Sequence, residues 1–147
     1  MENTPTSSKA CVAEFSAQTL NNRAAMCIEV GRYEDAYVDL SNALGILNVL
    51  GTRREYSRCT CNQCTLQSCL DHSIERPAKE APGEGHFLHR QPIFINEESM
   101  GHCMGKTMQI IIWMNLALTY HLTALDVTEV KLQTAYFRKA FECTNRL

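Results

Sequence analysis

The sequence predicts an all-α fold in which two antiparallel helical hairpins are interrupted by an irregular insertion. Three observations predict it. Apolar and small residues recur at helical spacing from Val12 to Leu47 and again from Ile110 to Phe141. Gly31 breaks the first run for only about three residues, so the helices on either side must fold back on one another. Between the two periodic regions lies a stretch rich in Cys, Pro, Gly and charge that follows no helical period. The chain of 147 residues suits one domain. Its expected division is a disordered tail at 1–8, a first hairpin at 9–51, the insertion at 52–106 and a second hairpin at 107–147.

Ser7 or Ser8 is placed to cap the first helix, whose apolar positions are Val12, Phe15, Leu20, Ala24, Cys27 and Ile28. Cys27 reads as a small core hydrophobe. Gly31 ends the run because glycine accepts a left-handed backbone without steric cost. The second helix begins near Tyr33 or Glu34, with Glu34 and Asp35 at the positive end of its dipole. Its stripe is Ala36, Tyr37, Leu40, Ala43, Leu44 and Leu47, and Gly51 stops it.

In the insertion, Arg53, Arg54 and Arg58 around Ser57 read as a solvated basic loop rather than a phosphorylation patch. Cys59 to Cys69 is cysteine-rich, and Glu75 to Gly85 reads as a mobile loop. Phe87-Leu88 and Ile93-Phe94-Ile95, the latter after Pro92, form an edge strand or an apolar anchor docked on the helices. Helical periodicity then returns. Ile110, Ile111, Trp113, Met114, Ala117, Leu118 and Leu122 give a helix apolar nearly all round, as an interior helix should be. Asp126 and Glu129 suit a capping box for a last helix that buries Val130, Ala135, Phe137, Ala140 and Phe141.

The first hairpin, Asn21 to Leu47, resembles a tetratricopeptide repeat. Ala24 stands at the close helix crossing, Gly31 and Tyr33 form the Gly-x-Tyr turn, and Ala36, Leu40 and Ala43 match the second helix. Trp113, Leu116, Ala117 and Tyr120 match the first-helix pattern again, and Phe137 with Ala140 the second. The resemblance implies a non-enzymatic scaffold that contacts another protein or peptide through a helical groove. That groove would be lined by Asn22, Met26, Glu29, Asn115, Thr119 and His121. In family members that clamp a peptide carboxylate an asparagine occupies the place of Asn22, but the basic partners are missing on a following helix here. The chain stops near its last helix, so that helix's apolar flank predicts self-association, a larger parent protein or a compact four-helix arrangement.

Composition sets bounds. With 14 basic and 16 acidic side chains the formal charge is −2, which gives no net field for nucleic acid or acidic membranes. Met108 to Leu125 carries no charge and is about as long as a membrane span. Gln109, Asn115, Thr119, His121 and Thr123 around it point instead to a helix buried in protein. The polar start, MENTPTSSK, lacks the apolar core of a secretory signal, so a cytoplasmic or nuclear protein with reduced thiols is expected.

Two motifs suggest chemistry. Cys59, Cys61, Cys64, Cys69 and His72 are soft and imidazole ligands near enough to hold one tetrahedral zinc, and Cys-x2-Cys lets both sulfurs face one ion. Against this, all five sit within 14 residues rather than in two knuckles, and a thiol-rich variable loop is the plainer reading. No cofactor is therefore expected, with a zinc-stabilised binding module as the alternative. Gly101 to Thr107 imitates a phosphate-binding loop one residue short, with Thr107 as helix cap. No histidine has a nucleophile at convincing spacing, which leaves a small enzyme or nucleotide binder as the remote third reading.

Overall fold

The computed structural model describes residues 5–51, 59, 61–76 and 91–147. Five α-helices, α1 Pro5–Glu29, α2 Tyr33–Gly51, α3 Leu66–Glu75, α4 Lys106–Asp126 and α5 Val130–Thr144, and two 3-10 turns, Asn62–Cys64 and Glu97–Ser99, make up the regular structure of these residues. The fold is all-α. The pairs α1/α2 and α4/α5 are hairpins, and α2 packs on α4 to join them. Proline at the first helical position costs no hydrogen bond, and α1 starts there, so Thr6 to Ser8 lie inside the helix rather than in a tail. The basic loop Arg53 to Arg58 and Phe87-Leu88 lie outside the described residues.

Small residues set the crossing of the first hairpin. Ala17, Ala24, Ala36 and Ala43 are fully buried, so the two backbones approach closely. Gly31 takes φ 82° in the turn, and the Arg32 N–H donates to the Cys27 carbonyl at 2.8 Å, satisfying the end of α1. Leu40 and Leu47 of α2 then join Met108, Ile111, Ile112 and Leu116 of α4 in one core. Outside that core, Arg23 on α1 grips Asp39 on α2 with two bonds of 2.7 and 2.6 Å. A tyrosine seam crosses the second junction: Tyr37 lies 5.7 Å from Tyr120, which stacks at 6.3 Å on Tyr136.

Several local expectations change. Val12 and Phe15 face solvent, whereas Glu14, Gln18 and Asn21 on the same helix are fully buried. On α5, Ala140 and Cys143 are the buried residues, while Val130, Ala135, Phe137 and Phe141 face outward. The capping box between Asp126 and Glu129 does not form, because Asp126 still belongs to α4 and Glu129 caps α5 without a side-chain bond. Gln133 closes the junction instead, donating to the Ala124 carbonyl at 3.0 Å. Thr107 is buried in the first turn of α4, whose cap is Gly105.

The insertion is partly regular. Thr65 caps α3 by accepting the Ser68 N–H at 3.1 Å, which turns the second half of the cysteine-rich stretch into a helix. Residues 92–96 belong to no helix and no sheet. Pro92, Ile93, Phe94 and Ile95 are buried as an anchor, and polar side chains of the helices take the place of a neighbouring strand. Asn115 and Asn22 oxygens accept the Ile93 and Ile95 N–H groups at 2.8 and 2.7 Å. The Ile93 carbonyl accepts from Asn21 at 3.0 Å and from Asn115 at 2.9 Å, and the Ile95 carbonyl from Asn22 at 3.0 Å. Burying this segment without such partners would leave its backbone groups unpaired, at about 1–3 kcal/mol each.

Candidate metal centre

Two segments far apart in sequence meet over the N-terminal half of α1. The first is Cys59 to Cys64, ending in a 3-10 turn at Asn62–Cys64 that folds Cys64 back so that its N–H donates to the Cys61 carbonyl at 3.3 Å. This closes the Cys-x2-Cys pair into a knuckle, with the cap of α3 starting at the next residue. The second segment is the loop from Ser99 to Gly105. Gly101 there has φ 82°, a turn that an L side chain would strain, and it presents His102 toward the knuckle. The two segments are stitched by the Cys59 N–H donating to the Cys103 carbonyl and by the Ser99 hydroxyl donating to the Gln63 carbonyl at 2.8 Å.

The result is a Cys3His group. The Sγ atoms of Cys59, Cys61 and Cys64 lie 3.5, 3.4 and 3.3 Å from His102 Nδ1, and all four ligand atoms fall within 4.8 Å of one another. A tetrahedral zinc with ordinary bond lengths has sulfur–nitrogen edges of about 3.6 Å and sulfur–sulfur edges of about 3.8 Å. The nitrogen edges agree with this. The Cys61–Cys64 edge, 3.2 Å, is shorter, yet far longer than the roughly 2.05 Å of a disulfide bond. The group is able to hold a metal ion.

Its electrostatics favour a first thiolate at Cys61. Hydrogen bonds from Cys64, then His102 and Cys59, lower the Cys61 thiol to about 6. Burial pushes the Cys64 thiol up to about 12, reinforced by its bond with Cys61. A divalent cation there would replace that competition with a charge that all three sulfurs could share, with His102 Nδ1 as the fourth ligand.

Of the sequence-derived ligands, Cys59, Cys61 and Cys64 converge, whereas Cys69 and His72 do not join them. Both lie on α3: Cys69 is fully buried in the core, where burial raises its thiol, and His72 is half-buried. The ligand missed in sequence is His102, 38 residues beyond Cys64. Its signal is a histidine in a short loop bracketed by Gly101 and Gly105, a stretch that otherwise only imitates a phosphate cradle. That cradle's N–H groups are already engaged: Gly101 donates to Gln18 Oε1 at 2.7 Å and Met104 to Glu14 Oε1 at 3.0 Å.

The groove residues divide as well. Asn22 and Asn115 hold the 93–95 segment, and buried Thr119 donates to the Asn115 carbonyl at 2.7 Å. Glu29 accepts from Arg76 at 3.2 Å, whose guanidinium lies 3.7 Å over the Phe94 ring. Met26 faces solvent. His121 packs on Phe137 at 5.3 Å and lines an apolar cleft of about 500 Å³ between α4 and α5, with Met114, Leu118 and Phe141. Among the described residues, α4 is the one helix long and apolar enough to cross a membrane, and 44% of its apolar window is buried in the protein.

Comparison with known proteins gave no matching family model, no matching curated protein and no matching solved structure.

Proposed function

We propose that the protein is a zinc-stabilised, non-enzymatic scaffold of tetratricopeptide-like hairpins that contacts another protein in the cytoplasm or nucleus. The observation that carries this reading is the convergence of Cys59, Cys61, Cys64 and His102 from two segments. Three thiolates and one imidazole are a ligand set suited to zinc rather than to the oxygen-seeking calcium or magnesium. Four protein ligands also fill a tetrahedral ion. That leaves no open position for the water a catalytic zinc would need, which supports a structural role. The apolar cleft beside His121, Phe137 and Phe141 is the surface offered to a partner.

Metal analysis of protein purified without chelators tests the reading. About one zinc per chain is expected, and C64S should lower it to a small fraction; a wild-type content below about 0.2 overturns the proposal.

A further inference from the structure

The four ligands are not on the hairpins. They belong to the knuckle and to a strap, residues 91–105, that lies across α1 and α4. The strap is held in two ways. At one end, His102 enters the Cys3His group. Along its length, the polar face of α1 grips its backbone. Gln18 Nε2 donates to the Ser99 and His102 carbonyls at 3.2 and 3.0 Å, while its oxygen takes the Gly101 N–H at 2.7 Å. Glu14 takes the Met104 N–H, and Asn21 and Asn22 bind the backbone at Ile93 and Ile95. These positions, 14, 18, 21 and 22, are successive places on one helix face. The hairpin residues Ala24, Leu40, Ile111, Ile112 and Leu116 form the body of the core, and Cys64, Ile93, Ile95 and Met104 of the knuckle and strap join it.

Resting on the zinc reading above, we propose that the metal site is a latch: metal binding holds the strap on the polar face of α1, and metal loss releases strap and knuckle as a local unit. The hairpins stay folded. Such a unit can open separately because α1, α2, α4 and α5 pack directly on one another, whereas the strap and knuckle add Cys64, Ile93, Ile95, Met104 and their backbone hydrogen bonds to that assembly from outside. The released face presents Gln18, Asn21 and Asn22 without their strap partners, so the metal state controls whether that face is covered. Linkage makes the control reciprocal, since whatever helps the strap dock must tighten metal binding by the same factor. Gln18 is therefore a positioning residue for the metal without being a ligand.

The experiment has two arms. In the first, hydrogen exchange is followed by mass spectrometry with zinc bound and after chelation. Exchange of the strap should accelerate at least about tenfold on chelation, with 108–119 of α4 unchanged. In the second, zinc affinity is measured by chelator competition for wild type, Q18A and R23A, with far-UV circular dichroism as the check on folding. Q18A should weaken zinc about 10–100-fold while keeping helicity, and R23A, on the same helix but paired to Asp39, should leave it unchanged. Uniform acceleration of strap and α4, an unmoved strap, or a Q18A affinity equal to wild type overturns the latch. Absence of zinc binding by the wild type overturns the zinc reading itself, so the two failures are told apart.

Discussion

On α1, Glu14, Gln18 and Asn21 are fully buried while Val12 is 66% exposed; on α5, Val130 and Phe141 are 73% and 65% exposed. The first helix hides polar side chains and the last displays apolar ones. Coverage explains the contrast better than hydrophobicity does. A strap outside any sheet lies on α1, and such a segment brings N–H and C=O groups that polar side chains must satisfy. The outward side of α5 has no such segment on it among the described residues, and its apolar side chains border the cleft beside His121. Burial at each helix is therefore set by what the rest of the chain lays against it.

The most damaging way to break this contrast is Asn115→Ala. Asn115 is 1% exposed and satisfies both backbone groups of Ile93 as well as the Asn21 oxygen at 2.8 Å. Its loss should cost about 2–4 kcal/mol in urea denaturation, because several buried polar groups lose their partner at once. A cost under about 0.5 kcal/mol would show that water replaces the amide and that the strap is not gripped. Next in size is Ala24→Leu, at the fully buried crossing of α1 and α2. Overpacking there should cost about 1–3 kcal/mol, read as a lower melting temperature; an unchanged value would place the helix crossing elsewhere. The smallest effect belongs to the other side of the comparison. Phe141→Ser on the exposed face of α5 should leave stability within about 0.5 kcal/mol, and a large loss would mean that the face is covered in solution.

Much of the architecture was legible in the sequence. Ala24, Ala36 and Ala43 stand at helical spacing because small residues are required where two helices cross, and all three are fully buried. Gly31 punctuates the hairpin for a local reason, its positive φ. The chemistry was legible by halves. Cys59, Cys61 and Cys64 announce a ligand knuckle by local spacing, but nothing local distinguishes Cys69 from them; the cap at Thr65 carries it away on α3 into the core. The 93–95 segment was narrowed to a strand or an anchor. Only the positions of Asn21, Asn22 and Asn115 decide for the anchor.

The sequence by itself thus determined what depends on neighbours a few residues apart: the helices, the turn at Gly31, the close-packed alanines and a run of closely spaced thiols. The tertiary structure decided what depends on residues brought together across the fold. It placed His102 against Cys64 and spread the strap over Glu14, Gln18, Asn21 and Asn22. It also turned Val12 and Phe15 outward. The physical reason is that hydrophobic periodicity tells which side of a helix prefers to be dry, whereas a buried backbone must be hydrogen-bonded wherever it runs. On α1 the second requirement prevailed.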